Sequence, residues 1–588
     1  MKNKLFIGGA WFLILLLTVS HQSRAQGFLK AEGKRIVNER GEEILLRGMG
    51  LGGWMLQEPY MLQASGVTRM QGDIRGKVEE LVGPEKTQRF YDAWLANHTR
   101  KIDVDSMAAW GFNSVRLAMH YNLFTLPIEE EPVKGQQTWH EKGFAMTDSL
   151  LAWCKANKMY LFLDLHAAPG GQGNDIAISD RDPDKPSLWE SEANQQKTVA
   201  LWRKLAERYA DEPWIGGYDI INEPNWGFQN AADKNGCNEK ENAPLLKLQQ
   251  DITKAIREVD KKHIIIIEGN CWGNNYAGMM PPWDKNMVVS FHKYWNYNDQ
   301  ASIQNMLAMR EQYNVPVWLG ETGENSNLWF RDAIHLLERN NIGWAWWPLK
   351  KLGFNNPLEV KVNPGYQAIL DYWRDKGAKP GEQQAFAALM QLAENTKLEN
   401  CIYHKDVIDA MFRQVNSDAT KPFKKHAVAG NTTIFAVDYD LGRNGMAYFD
   451  KDTANYHVAT GGDRTAWNHG RVYRNDGVDI LAIKDEVTNG YGIGWTEDGE
   501  WLQYTLDVQK PGVYTIGLRV ASKGGGAAAL RVNGEALPSS IIIPDTGGLT
   551  NWQTVAKERV RLKKGQNTLR IKVEKGGFNL NHIQLSRR

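Results

Sequence analysis

Gly217-Tyr-Asp-Ile-Ile-Asn-Glu-Pro224 and Val315-Pro-Val-Trp-Leu-Gly-Glu-Thr322 decide how this chain is read. Each is an apolar run of strand length that stops at a carboxylate, Glu223 in one and Glu321 in the other. A buried parallel strand has this pattern, with polar side chains only where it leaves the core. Two carboxylates at such ends suit glycosidic bond cleavage, in which one protonates the leaving oxygen and the other attacks the anomeric carbon.

Working outward, further runs repeat the arrangement in alternation with helical periods. Expected strands are 44–47, 114–119 with Arg116, 160–166 ending in His166, 217–223, 263–268 ending in Glu268, 287–294 with His292 and Tyr294, 315–322, and 342–348 with Trp346 and Trp347. Expected helices include 103–110, 148–157, 196–210 and 245–259. Eight such units imply an α/β fold, a (β/α)8 TIM barrel. Closure would gather the C-terminal strand ends on one face, so Arg116, His166, Asn222, Glu223, Glu268, His292, Tyr294, Glu321, Trp346 and Trp347 are expected around one pocket. Glu268 has no assigned role. Gly48-Met-Gly-Leu-Gly-Gly-Trp54 reads as a loop, and without a closing Lys-Ser/Thr it is no phosphate cradle.

The 588 residues exceed one ordinary domain. Lys+Arg 70 against Asp+Glu 69 leaves a net charge of +1, which favours neither nucleic acid nor anionic lipid as partner. The 23 tryptophans suit sugar faces as well as cores. Lys2 and Lys4, the apolar run 5–19 and Ser23-Arg-Ala25 read as a cleaved signal peptide over residues 1–25, so the mature chain is expected to be secreted or periplasmic with no membrane span. Four cysteines are too few for a disulfide framework, and whether Cys237 and Cys271 pair is left open.

The barrel should occupy residues 26–376 and a partly helical connector 377–430, with helices at 382–395 and 407–415. An all-β jelly-roll sandwich should fill 431–588, where short alternating runs are punctuated by Gly, Asn and Asp.

The motifs Asn-Ser-Val-Arg116, Asp-Leu-His166, Asn222-Glu-Pro224, His292-Lys-Tyr294, Trp-Leu-Gly-Glu321 and the Trp-rich last strand together resemble glycoside hydrolase family 5, the retaining cellulase-like barrels, over about residues 30–375. The resemblance implies Glu321 as nucleophile and Glu223 as acid/base, with Arg116, His166, Asn222, His292 and Tyr294 supporting or binding substrate. Trp347 would be the sugar floor, with Trp346 the alternative, and no metal or organic cofactor is implied. Val472-Tyr-Arg-Asn-Asp-Gly-Val-Asp479, the run 494–504 and Gly577-Phe-Asn-Leu-Asn-His-Ile583 resemble a family 6 carbohydrate-binding module. That resemblance implies a sugar held between Trp495 and Trp552 and bonded by Asn579. Ile434-Phe-Ala-Val437 lacks the acids, and Asn581 replaces the Asp, that commonly hold calcium in such modules.

The expectation is therefore a monomeric β-glucanase acting on β-1,4 or β-1,3 bonds, which its module keeps near the polysaccharide by raising effective concentration. A β-mannanase or β-1,6-glucanase on the same barrel remains open, since the fold does not select the sugar. A non-catalytic polysaccharide-binding protein is the alternative of another class. Presence of both Glu223 and Glu321 argues against it.

Overall fold

The computed structural model describes residues 27–456 and 466–588, so the signal peptide expected at 1–25 lies outside the described residues. Apolar runs bounded by polar ends form eight parallel strands, here β1 Arg47–Gly50, β2 Ser114–His120, β3 Tyr160–Ala167, β4 Ile215–Asp219, β5 Ile264–Ile267, β6 Met287–Lys293, β7 Val317–Gly323 and β8 Trp344–Trp347. They close into a barrel in chain order, β8 pairing with β1. Helices such as Lys101–Trp110, Glu192–Tyr209 and Ala243–Val259 cover the outside with apolar faces.

The first strand corrects the reading at 44–47, because it begins at Arg47 and runs through glycines taken for a loop. The reason is steric. A Cβ on Gly50 would sit 2.6 Å from the Trp347 ring, and one on Gly48 would sit 3.1 Å from the Trp344 carbonyl oxygen. Glycine lets β1 approach the tryptophan-rich β8 closely.

Helix Gln71–His98, broken at Gly83, has no counterpart in the sequence reading. It shares a core with helix Glu382–Asn395, in which Val78, Leu81, Phe90 and Trp94 join Leu389 and Leu392. Val407, Met411 and Val415 join the barrel core, and His426–Val428 pairs with Trp501–Val508, so residues 377–430 pack on both neighbours. The C-terminal part is two facing sheets with their own core, including Tyr504, Leu506, Ile516, Leu518, Ile571 and Ile583.

Candidate active site

Arg116 is the centre of the barrel's polar interior. It projects from β2, is only 1 % exposed, and reaches four carboxylates on four other segments. Its Nη2 lies 2.8 Å from Asp219 and 3.1 Å from Glu268, and its Nη1 lies 3.2 Å from Asp164 and 2.9 Å from Glu321. Nη2 also donates to Asn222 Oδ1 at 2.8 Å. A planar guanidinium can serve several oxygens at once, which a lysine could not do from one point. Burial opposes any charge here, yet the surrounding acids hold the Arg116 pKa well above its usual value. With acids in excess of cations, burial, Glu268 and Asp164 keep the Asp219 pKa well above the normal range.

Glu321 is fixed from two sides. Arg116 donates to its Oε2, and the Tyr294 hydroxyl donates to its Oε1 at 2.9 Å. That arrangement orients a carboxylate for attack. Glu223 lies just past β4, at φ +43°, a left-handed conformation uncommon for a non-glycine residue. Its amide donates to Glu268 Oε2 at 2.7 Å, which holds the turn. His292 Nδ1 donates to Glu223 Oε1 at 2.6 Å, while its Nε2 lies 3.1 Å from Glu268.

Burial pushes Glu223 up to about 7, against the pull of His292 and with help from Glu321 and Glu268. His292 goes the other way from what burial alone dictates, because Glu268 and Glu223 hold its pKa well above an ordinary histidine's. A carboxylate oxygen of Glu223, one of Glu321 and a His292 nitrogen all lie within 4.8 Å of one another. They suit proton transfer better than metal binding, because hydrogen bonds already engage both Glu321 oxygens and His292 Nδ1.

These groups open into a cleft of about 1280 Å³ lined by Glu58, Tyr60, His166, Tyr294, Trp295 and Trp347, among others. The Trp347 ring is stacked on His166 at 4.8 Å and 8°, and its Nε1 donates to the Tyr60 hydroxyl at 3.0 Å. His166 Nδ1 donates to Asp164 at 2.8 Å, and its Nε2 lies 3.3 Å from Asn222 Nδ2. Trp346 differs. Successive strand residues face opposite sides, so Trp346 points outward, 1 % exposed, against Phe330 at 4.9 Å. It is a core residue and does not line the cleft, which removes it as the alternative floor.

Sequence reasoning left Glu268 without a role and did not single out Asp164, Asp219, Glu58 or Tyr60. Charged residues inside apolar strands were the available signal for Asp164 and Asp219. Cys237 and Cys271 form a disulfide. It ties the segment carrying Trp272, another cleft residue, to the loop after β4.

In the sandwich, Trp495 is 49 % exposed and one face stacks on His469 at 5.4 Å and 21°. Trp552 is half-buried and donates to the Lys484 carbonyl at 3.0 Å. Asn579 is buried, and its Nδ2 donates to the Leu549 carbonyl at 2.9 Å. Asn581 likewise donates to Asp485 at 2.8 Å.

Residues 75–353 match the model of the cellulase family, glycosyl hydrolase family 5. The barrel is a family 5 glycosyl hydrolase domain. Residues 471–587 match carbohydrate-binding module family 6. The chain is similar to a β-xylosidase of Phanerodontia chrysosporium, 26 % identical over 378 residues, covering 58 % of this chain and 75 % of that one. It is also similar to endoglucanase C of Acetivibrio thermocellus, 25 % identical over 314 residues, covering 43 % and 84 %. Among solved structures, a β-glucanase of Saccharophagus degradans aligns with a TM-score of 0.37 at 16 % identity, covering 64 % of this chain and 95 % of that one.

Proposed function

We propose that this family 5 hydrolase cleaves β-glucosidic bonds of a β-glucan by double displacement, with Glu321 as nucleophile and Glu223 as acid/base. One observation carries the reading: carboxylate oxygens of Glu223 and Glu321 lie within 4.8 Å of each other across the cleft. The retaining route needs carboxyls about 5–5.5 Å apart, whereas the inverting route leaves about 6.5–9.5 Å for a water.

In the first step Glu321 attacks the anomeric carbon while Glu223 protonates the departing oxygen. The raised Glu223 pKa supplies that proton near neutrality. Once Glu321 becomes an ester, its charge is lost, the Glu223 pKa falls, and Glu223 takes a proton from the water that releases the sugar. In this reading Asn222, whose Oδ1 accepts from Arg116, bonds the sugar 2-hydroxyl, and Trp347 forms the floor beneath the ring.

Relatives named endoglucanase C and glucan 1,3-β-glucosidase support the β-glucan class. We also propose that residues 1–25 direct export and that the mature chain works as a monomer.

The test is hydrolysis of laminarin, cellulose derivatives, mixed-linkage glucan, mannan and an aryl β-xyloside, with proton NMR of the first anomer released. Retention on a β-glucan, lost in Glu321→Ala, is expected. An inverted first product, or full activity in Glu321→Ala, overturns the mechanism. Preference for mannan or the xyloside overturns the substrate class.

A further inference from the structure

The sandwich does not hang from the barrel on a free linker. Asn327 N donates to the Asn475 carbonyl at 2.9 Å, and Asn475 Nδ2 donates to Asn325 O at 2.9 Å and to Asn327 Oδ1 at 3.0 Å. Asp406 Oδ2, from the connector, accepts from Asn475 N and Asn327 Nδ2, both at 2.8 Å. All four side chains are at most 4 % exposed. Buried amides bonded this way hold their geometry closely, because breaking one leaves polar groups unpaired. The barrel side of the junction begins two residues beyond β7, the strand that bears Glu321.

From this anchor the sandwich segment 467–472 reaches back to the catalytic cleft. Trp467, Arg471 and Val472 border the same cavity as Glu223, Glu321 and Trp347. Trp467 Nε1 donates to Asn475 Oδ1 at 3.1 Å, and its ring packs on Phe354 of the barrel at 6.0 Å. Arg471 sits at φ +52°, a strained position for a side chain of its size. Asn468 pins the turn by accepting the Arg471 amide at 2.8 Å and donating to Asp476 O at 2.8 Å. The Arg471 side chain is exposed, and among the described residues no carboxylate pairs with it.

We propose that the sandwich builds an outer subsite of the catalytic cleft, in which Arg471 binds the hydroxyls of a sugar unit beyond the cleavage point. The ligand class is a β-linked oligosaccharide. A guanidinium's fork of donors matches adjacent hydroxyls, and a rigid turn removes the backbone part of the ordering cost of placing it. The module then sets the preferred chain length in the cleft, in addition to any role on the polysaccharide surface. This inference rests on the hydrolase reading above.

Soluble oligosaccharides of increasing length, taken from the glucan that the parent cleaves, provide the test, because a module acting only by adhesion to insoluble polysaccharide does not affect them. The gain in kcat/KM from shortest to longest is expected to shrink about 10-fold in Arg471→Ala, mainly through KM, with partial recovery in Arg471→Lys. Circular dichroism and Tm should match the parent, because the side chain is exposed. An unchanged length dependence in Arg471→Ala overturns the subsite and leaves the hydrolase reading standing. If the parent cleaves the glucan but none of the series, the subsite is overturned alone; if it cleaves no β-glucan at all, the hydrolase reading fails and the subsite with it.

Discussion

Glu268 accepts the amide of Glu223 at 2.7 Å while it also meets Arg116 at 3.1 Å. One carboxylate thus ties the acid/base residue to the cation that orients Glu321. Glu268→Gln keeps the volume but removes the charge shared by Arg116 and His292. Displacing reacting groups by fractions of an ångström to 1 Å costs up to about 10²-fold, so kcat/KM should fall by roughly that factor. Steady-state kinetics beside a melting curve check this, and kinetics equal to the parent's would remove Glu268 from the positioning set.

The pH profile follows from the sign of the Glu223 shift. Its pKa is raised from 4.5 to about 7, and the first step needs the protonated form. kcat/KM should therefore fall as pH rises through about 7, because the proton is lost. Glu223→Gln should abolish that basic limb while leaving residual turnover of aryl glycosides, whose leaving groups need little protonation. Persistence of the limb in the variant would assign it to another group.

The adjacent tryptophans separate stability from chemistry. Trp346→Ala opens a cavity in the wall between barrel and helix and should cost about 3–5 kcal/mol in urea unfolding. Trp347→Phe keeps a ring but loses the Tyr60 hydrogen bond and part of the floor, so kcat/KM should drop about 10-fold. Equal loss of activity per unit of stability in both would show that neither faces substrate.

The Cys237–Cys271 disulfide spans 34 positions. Chain-entropy reasoning gives about 3–4 kcal/mol for a loop of that size. Cys237→Ala with Cys271→Ala should lower the urea midpoint accordingly and raise KM, because Trp272 borders the cleft. A KM equal to the parent's would confine the bridge to stability.

Much of the barrel was legible because the cues are local. The run 263–268 is four isoleucines closed by His263 and Glu268, and both its strand and its polar end can be read from the residues themselves. The first strand was placed three residues early, at 44–47 instead of Arg47–Gly50, for an equally physical reason. Its glycines make sense only once Trp344 and Trp347 are known to lie beside them. The interior acids Asp164 and Asp219 were passed over because a charge within an apolar strand is explained only by a partner, and Arg116 lies on another strand.

Taken alone, the residue order determined that apolar runs alternate with amphipathic helices, that two of the runs end in glutamates, and that a β-rich segment follows. Hydrophobic period and turn chemistry operate over a few neighbours, so they are written in the order of residues. Only the tertiary structure decided that Trp347 faces the cleft while Trp346 does not, that Glu268 links Glu223 to Arg116, and that the sandwich lends Arg471 to the cavity. Those relations join residues tens to hundreds of positions apart, and barrel closure, strand register and burial of polar groups at the junction set them together.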